Sequence, residues 1–388
     1  MTTMNKPGTI RIAYFIGTLR KEDGVAQVLL ALAREAKKKG FPCVIVTGWV
    51  EDMSVVPVPV ITIPSVVFPL YRDYRLPLPG MRGFEKELDD FRPDIIHVHS
   101  PDTSAWAAIA YAKKTGIPVI TTHHTDFARY LSYYHIGFAE PFLWFLLHEV
   151  YDRSDRVTTP SPATTNDLLE HGVKNVITIG WGVDTARFDP SFRSEEWRKS
   201  VLPSGAPFVI LCVCRLTWEK DLKTLAATYT LLRQRSRNPF AMVIAGDGPA
   251  RGEIEKMMPG AIFLGHIEKT DLSRVYASSD ILLFPSSTET FGNVTAEAMV
   301  SGAVPVVANA GGSQSLVQDG KNGFLAAPRD AEDFYQKTSR LMDNPQLLDK
   351  IKKEALKLRD QVSWEHVFSR FIDEYSALLK SNGSDHSA

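Results

Sequence analysis

The sequence predicts an α/β protein made of two Rossmann-like domains, each a parallel sheet covered by helices. Three observations predict it. A length of 388 residues accommodates two cores. Short β-rich runs alternate with helical stretches, as in a parallel sheet whose crossovers are helices. That alternation lapses over Asp184–Ala206, a polar stretch with several prolines and glycines, and then begins again.

Taken in order, Thr9–Ile16 reads as a buried strand. Gly24 follows in a loop, then a helical pattern over Val25–Lys39 closed by Gly40. Val44–Thr47 is the next strand, and residues 55–80, rich in proline and aromatics, read as an irregular connection. Phe84–Phe91 has a helical pattern that Pro93 ends. Asp94–His99, Pro118–Thr122 and Arg156–Thr159 are further short strands. In the second half, Phe208–Cys214, Ala241–Ala245, Ala261–Leu264, Ile281–Phe284 and Val304–Ala308 read as strands, with a helix over Leu222–Arg233. From Ala331 a helical pattern runs, with a break near Val362–Ser363, to about Lys380, and Ser381–Ala388 reads as a disordered tail. The expected domains are residues 1–184 and 185–363, with the helix over about 364–380 returning to the first.

Composition narrows the function classes. Hydrophobic content of 44% and charged content of 23% are those of a soluble globular protein. A net charge of −1 implies no nucleic-acid partner. Met1–Gly17 lacks the apolar region and cleavage site of a signal peptide. Apolar runs such as Phe142–Leu147 fall far short of a membrane span. Cys43, Cys212 and Cys214 read as buried, reduced thiols. These features point to the cytoplasm and leave peripheral membrane contact open. Nothing in the sequence marks an oligomeric state.

In open α/β sheets, ligands sit beyond the carboxyl ends of the strands. After strand 208–214 come Arg215 and Lys220, two fixed cations, with Asp221 placed to cap the helix from Leu222. After strand 281–284 come Glu289 and Glu297, with Gly292 and Asn293 between them at a turn into a helix. Gly292 lets backbone approach a ligand, and the amides that follow can point at phosphate oxygens. Two carboxylates beside an anion site suit sugar and ribose hydroxyls better than phosphate.

These elements, in this order, resemble the retaining glycosyltransferases of family 4, which have the GT-B fold of two Rossmann-like domains facing each other across a cleft. The resemblance rests on Arg215…Glu219-Lys220 followed by Glu289…Glu297. Gly246-Asp247-Gly248-Pro249, Gly265-His266-Ile267, Ala277–Asp280, Gly311-Gly312 and Asp319-Gly320…Asn322–Leu325 match as well. It implies that Arg215 and Lys220 neutralise a diphosphate leaving group, that Glu289 holds the transferred sugar, and that Glu297 holds the ribose. Backbone of Phe291, Gly292, Asn293 and Val294 would contact sugar and phosphate, and Ile267 would border the base. Cys214 departs from a glycine usual before the arginine, and Asp221 stands where glycine or asparagine is common. Gly24 corresponds to a loop that often carries two glycines over the donor phosphates; here Glu22 and Asp23 precede it.

Of the two histidines after strand 118–122, His123 reads as structural. By family position His124 would sit beside the reacting sugar carbon, with Asp126 a second polar candidate. His97 and His99 share a strand face, as two metal ligands would, but no acidic or thiolate ligand stands at a recognisable spacing, so no metal site is expected. No cofactor is expected either, the nucleotide sugar being substrate. Phe127–Tyr151 is rich in aromatics and reads either as core and cleft lining or as an interfacial surface. The run His124-Thr125-Asp126…Tyr130…Tyr133-Tyr134, the turn Trp181-Gly182-Val183-Asp184 and Thr288–Val294 together resemble the glycolipid branch of the family, which implies a lipid-linked acceptor. The expected activity is transfer of mannose or glucose from a GDP- or UDP-sugar to a lipid or glycan acceptor. Four other readings stay open: a nucleotide-sugar-binding protein of this fold acting on a soluble small-molecule or polysaccharide acceptor, a nucleotide-sugar-binding protein without turnover, an inverting enzyme, and a dehydrogenase, although Gly17…Gly24 lacks the G-x-G-x-x-G of the last.

Overall fold

The computed structural model describes residues 9–20, 23–67, 74–78, 83–124, 137–202 and 207–385, apart from the side chains of 269, 270 and 382–385. The chain forms two compact units. Unit 1 comprises the residues up to Gly182 together with those from Trp364 on, and unit 2 is Val183–Ser363.

Unit 1 is built on β1 (Ile12–Leu19), β2 (Cys43–Val50), β3 (Val60–Thr62), β6 (Ile95–Val98), β7 (Val119–Thr122), β8 (Arg156–Thr159) and β9 (Val176–Thr178). They form a parallel sheet in the order β3-β2-β1-β6-β7-β8-β9. Every residue of β1 is buried, which is why it reads as an unbroken apolar run rather than an alternating one. Phe15, Val46, Ile96 and Val98 form a core with Ala105, Ala108 and Tyr111 of helix Thr103–Thr115. The described residues within 55–80 hold more regular structure than expected. They supply β3, and β4 (Ser65–Val67) pairs antiparallel with β5 (Arg75–Pro77). Strands of three residues among prolines are too short to show a period of two.

Unit 2 holds β10 (Phe208–Val213), β11 (Phe240–Ala245), β12 (Ile262–Gly265), β13 (Ile281–Phe284), β14 (Val304–Ala308) and β15 (Phe324–Ala326). Their order is β12-β11-β10-β13-β14-β15, again parallel. Within Asp184–Ala206 the structure forms a helix over Glu195–Val201. Its Arg198 is buried and bonds Asp280 at 2.8 Å, and Asp280 in turn accepts the Val209 amide at the start of β10.

The helical pattern from Ala331 resolves into Ala331–Met342, Pro345–Leu356, Leu358–Gln361 and Trp364–Asp385. The last belongs to unit 1. Phe368 meets Phe41 edge-on at 5.5 Å, and Lys39 pairs with Glu365 at 2.8 Å. This helix continues to Asp385, past the Ser381 at which the sequence predicts a disordered tail.

Both sheets reverse direction beside their first strand. β1 lies between β2 and β6, and β10 lies between β11 and β13. The loops after β1 and β6, and after β10 and β13, therefore diverge around a crevice in each unit.

Candidate active site

In unit 2 the switch point brings together the two sequence elements with the strongest pattern. Pairing of Ile210 with Ile281 and of Leu211 with Leu282 sets the carboxyl ends of β10 and β13 side by side. Lys220, in the loop after β10, donates to Oε1 of Glu289, in the loop after β13, at 2.7 Å. Both side chains are largely shielded, at 17% and 18% exposure. Ser286 Oγ donates to the same carboxylate oxygen at 2.9 Å. Arg215 is exposed, and among the described residues its guanidinium carries no side-chain hydrogen bond or ion pair. An exposed cation thus follows the same strand as the cation of a fixed cation–carboxylate pair.

Helix Asn293–Ser301 begins at Gly292, whose φ of 97° suits a residue without a side chain. Gly292 has no side chain to cap the first-turn amides, and amides at such a terminus can meet an anion. Close packing enforces the same choice: a Cβ on Gly292 would lie 2.5 Å from Ser313 Oγ and 2.9 Å from Ser313 Cα. Phe291 is buried and anchors the turn, while Asn293 is exposed and Val294 half-buried. Glu297 is half-buried on the same helix and accepts from Tyr276 Oη at 2.9 Å. Burial, and then the Glu297 charge, push the Tyr276 phenol well above its ordinary pKa, so it stays a donor. Gly311-Gly312 supports the loop from beneath. The Gly312 amide donates to Glu289 carbonyl oxygen at 2.6 Å, and a Cβ on Gly312 would strike Thr290. Half-buried Ile267 follows β12 at the sheet edge.

Asp221 departs from expectation. It stands before helix Leu222–Arg235, but its side chain makes no capping bond. Its backbone is left-handed, with φ of 54°, a region that favours glycine and asparagine and tolerates aspartate. That accounts for the residues usual there in the family it resembles. Cys212 and Cys214 are buried and free. A bond to Cys214 and burial raise the Cys212 thiol pKa, keeping it protonated.

In unit 1, Gly24 is the first residue of helix Gly24–Lys39 rather than part of the preceding loop. Asp23, with no evident role in sequence, is its cap and accepts the Val25 amide at 2.8 Å. His123 and His124 directly follow β7 and are both buried. His123 Nδ1 bonds Tyr151 Oη at 2.7 Å, and burial lowers its pKa to about 4. His124 Nε2 bonds His99 Nδ1 at 3.0 Å, and its ring stacks on Trp181 at 5.3 Å between centroids. Asp126 and the first part of Phe127–Tyr151 lie outside the described residues. The remainder forms helix Glu140–Tyr151, in which Leu147, Val150 and Tyr151 face the core. Phe138, Phe142 and Phe145 lie on the other side, 86%, 64% and 58% exposed, so the segment is both core helix and apolar surface.

Sequence reasoning passed over Tyr276, Ser286 and the bond from His99. Tyr276 and His99 reach their partners from other elements, which spacing does not carry, and Ser286 stands three residues before Glu289, where a loop serine is ordinary. Among the described residues, no group of three His, Cys, Asp or Glu side chains is arranged to hold a metal. No described helix is long and apolar enough to cross a membrane.

Comparison with known proteins agrees with this geometry. Residues 23–187 match the family model described as Glycosyltransferase Family 4, and residues 193–358 match Glycosyl transferases group 1. The chain is 32% identical to a GDP-mannose-dependent alpha-mannosyltransferase of Mycolicibacterium smegmatis, over 82% of each protein. It is also 32% identical to a sulfoquinovosyl transferase of Arabidopsis thaliana, over 80% of this chain and 62% of that longer protein. Among solved structures, Anabaena HepE in complex with UDP and glucose superposes with a TM-score of 0.71 at 18% identity, covering 95% of this chain and all of that one. With Lys220 and Glu289 paired at the switch point of unit 2, and a likeness running nearly end to end, the chain belongs to glycosyltransferase family 4 and is a hexosyltransferase of GT-B fold.

Proposed function

We propose that this enzyme moves mannose or glucose, with retention, from a GDP- or UDP-sugar to a lipid-linked or glycan acceptor. The observation that carries the reading is the Lys220–Glu289 pair at the switch point of unit 2, beside an uncapped helix N-terminus. A cation there takes up diphosphate charge, and the carboxylate next to it takes sugar hydroxyls. Arg215 adds a second cation, Glu297 holds the ribose, and backbone of Phe291–Val294 holds sugar and phosphate. Ile267 borders the base. By family position, Gly24 is assigned to the phosphates and His124 to the reacting carbon. No cofactor or metal takes part.

In the transfer step, the bond between the anomeric carbon and the diphosphate oxygen breaks as Arg215 and Lys220 stabilise the leaving charge. The acceptor oxygen forms its bond on the same face, and its proton passes to the departing phosphate oxygen. Glu289 positions the sugar and forms no covalent bond to it.

The sulfoquinovosyl transferase likeness and the exposed Phe138, Phe142 and Phe145 support a lipid-linked acceptor met at the cytoplasmic face of a membrane. A panel of nucleotide sugars, scored by thermal shift and donor hydrolysis and followed by anomeric NMR of product, tests the donor and the stereochemistry. Diacylglycerol-based vesicles against soluble sugars test the acceptor. Insensitivity to every nucleotide sugar overturns the reading, and transfer to soluble sugars alone overturns its lipid part.

A further inference from the structure

Unit 1 contains a column of aromatic rings in which His124 is only one member. Ring centroids of His97 and His99 lie 4.1 Å apart, those of His99 and His124 5.1 Å, and those of His124 and Trp181 5.3 Å. His97 is held from outside the column. Its Nδ1 bonds Tyr375 Oη and its Nε2 bonds Thr122 Oγ1, each at 2.7 Å. His99 and His124 instead share one bond, Nδ1 to Nε2 at 3.0 Å. The other nitrogen of each, His99 Nε2 and His124 Nδ1, is buried without a hydrogen-bond partner among the described residues.

We propose that His99 is a positioning residue for transfer: its bond to His124 Nε2 fixes the tautomer of His124, and so decides whether His124 Nδ1 offers the donor sugar a proton or a lone pair. The proposal rests on the reading that places His124 beside the reacting carbon. Burial, and then the neighbouring imidazoles, hold both rings neutral. Between two neutral imidazoles there is room for one proton. If His99 Nδ1 carries it, His124 must carry its own on Nδ1 and present a donor. If His124 Nε2 carries it, Nδ1 is a bare acceptor. Trp181 lies against one face of the His124 ring and the bond from His99 holds its Nε2 edge, so a turn of the ring that exchanged its nitrogens would break that bond. A buried polar atom left unpaired is costly unless a ligand completes it. His124 Nδ1 is such an atom, and a sugar hydroxyl is the group that this reading brings to it.

The test compares His99→Asn, His99→Gln and His99→Leu with the wild type in steady-state transfer across pH, with calorimetry of the free nucleoside diphosphate as control. An asparagine amide reaches the position of Nδ1, whereas a glutamine amide reaches that of Nε2. His99→Asn should keep most of the activity. His99→Leu and His99→Gln should lose about tenfold in kcat/KM, mainly in kcat, the worth of one buried hydrogen bond. Nucleotide affinity should be unchanged in all three. Among the described residues, the titratable groups facing the pair are His97, His123 and Tyr14, so removing one imidazole leaves less like-charge repulsion. The acid limb of the pH profile should therefore move to higher pH in every variant. In histidine-selective 15N spectra, His124 should be a single tautomer in the wild type and a mixture in His99→Leu. If His99→Leu does not fold, the contrast between Asn and Gln carries the test. Wild-type kcat/KM and pH profile in both His99→Leu and His99→Gln overturn the proposal. A His124→Phe variant separates the two ideas: full activity there defeats the placement of His124, whereas loss there with an intact His99→Leu defeats the role of His99 alone.

Discussion

Replacing Lys220 with methionine keeps the apolar stem and removes the ammonium. In the ligand-free protein the loss is modest, because Glu289 retains its bond from Ser286 and both side chains keep some solvent. With the donor bound, the consequence is larger. A diphosphate competing for Lys220 would then face the Glu289 carboxylate with no cation between them. Two unit charges 4 Å apart interact by about 4 kcal/mol at an effective dielectric of about 20, before desolvation offsets part of it. Loss of one preorganised group at a developing charge costs about 2.7–4 kcal/mol, or about 10²–10³ in rate. Lys220→Met should therefore lower kcat/KM by about that factor and weaken free nucleoside diphosphate as well. Glu289→Gln in the same chain should restore nucleotide binding and leave transfer impaired, since it removes the repulsion but not the missing stabilisation. Initial rates over a donor series, with calorimetry of the nucleotide, measure both. A Lys220→Met enzyme within threefold of wild type, or a double variant that binds nucleotide no better than the single one, refutes the reasoning.

Further outcomes follow from the same geometry. Gly292→Ala should strain a backbone at φ of 97° and crowd Ser313, at about 1–3 kcal/mol, and each kcal/mol should lower the melting temperature of unit 2 by about 2–4 °C; an unchanged transition in differential scanning would contradict it. Tyr276→Phe takes one donor from Glu297 and should raise the donor KM about fivefold with kcat nearly intact; equal losses in kcat would count against a ribose-holding Glu297. Unit 1 should lose stability as pH falls from about 6.5 toward 4, because His123 titrates near 4 when folded and near 6.5 when unfolded, so the unfolded chain takes up the proton first. The contribution is about 3 kcal/mol from that residue, and His97, His99 and His124 act in the same direction. A melting temperature independent of pH between 7.5 and 5 would rule this out.

What the sequence makes legible depends on the range over which each feature acts. Strands buried on both faces, such as Ile281–Phe284 and Val304–Ala308, are visible residue for residue because burial leaves an apolar run. Helix Phe84–Phe91 is visible because Pro93 lies just beyond its end. The short pair Ser65–Val67 and Arg75–Pro77 is hidden, since three residues make no pattern and the pairing is between segments. Within the site, Arg215, Lys220, Glu289 and Glu297 stand out through order and spacing. Their partners do not. Tyr276 reaches Glu297 from another helix, and Tyr375 reaches His97 across 278 residues of chain. The left-handed Asp221 is invisible for a different reason: aspartate is as ordinary at a true cap as in that conformation.

The points at which the chain leaves and rejoins unit 1 are neighbours. Gly182 packs against the Trp364 indole on one side, while the Val183 amide donates to Val362 carbonyl oxygen at 2.6 Å on the other. Unit 2 is therefore a single uninterrupted stretch whose two ends touch, inserted through one small gate. Such a module can be lifted out whole. Residues 183–363 expressed alone should retain a nucleoside diphosphate site, and a short splice joining 182 to 364 should close unit 1 without it. If unit 2 sets donor choice as proposed, replacing residues 183–363 with the matching stretch of a relative should change the donor used and leave unit 1 folded.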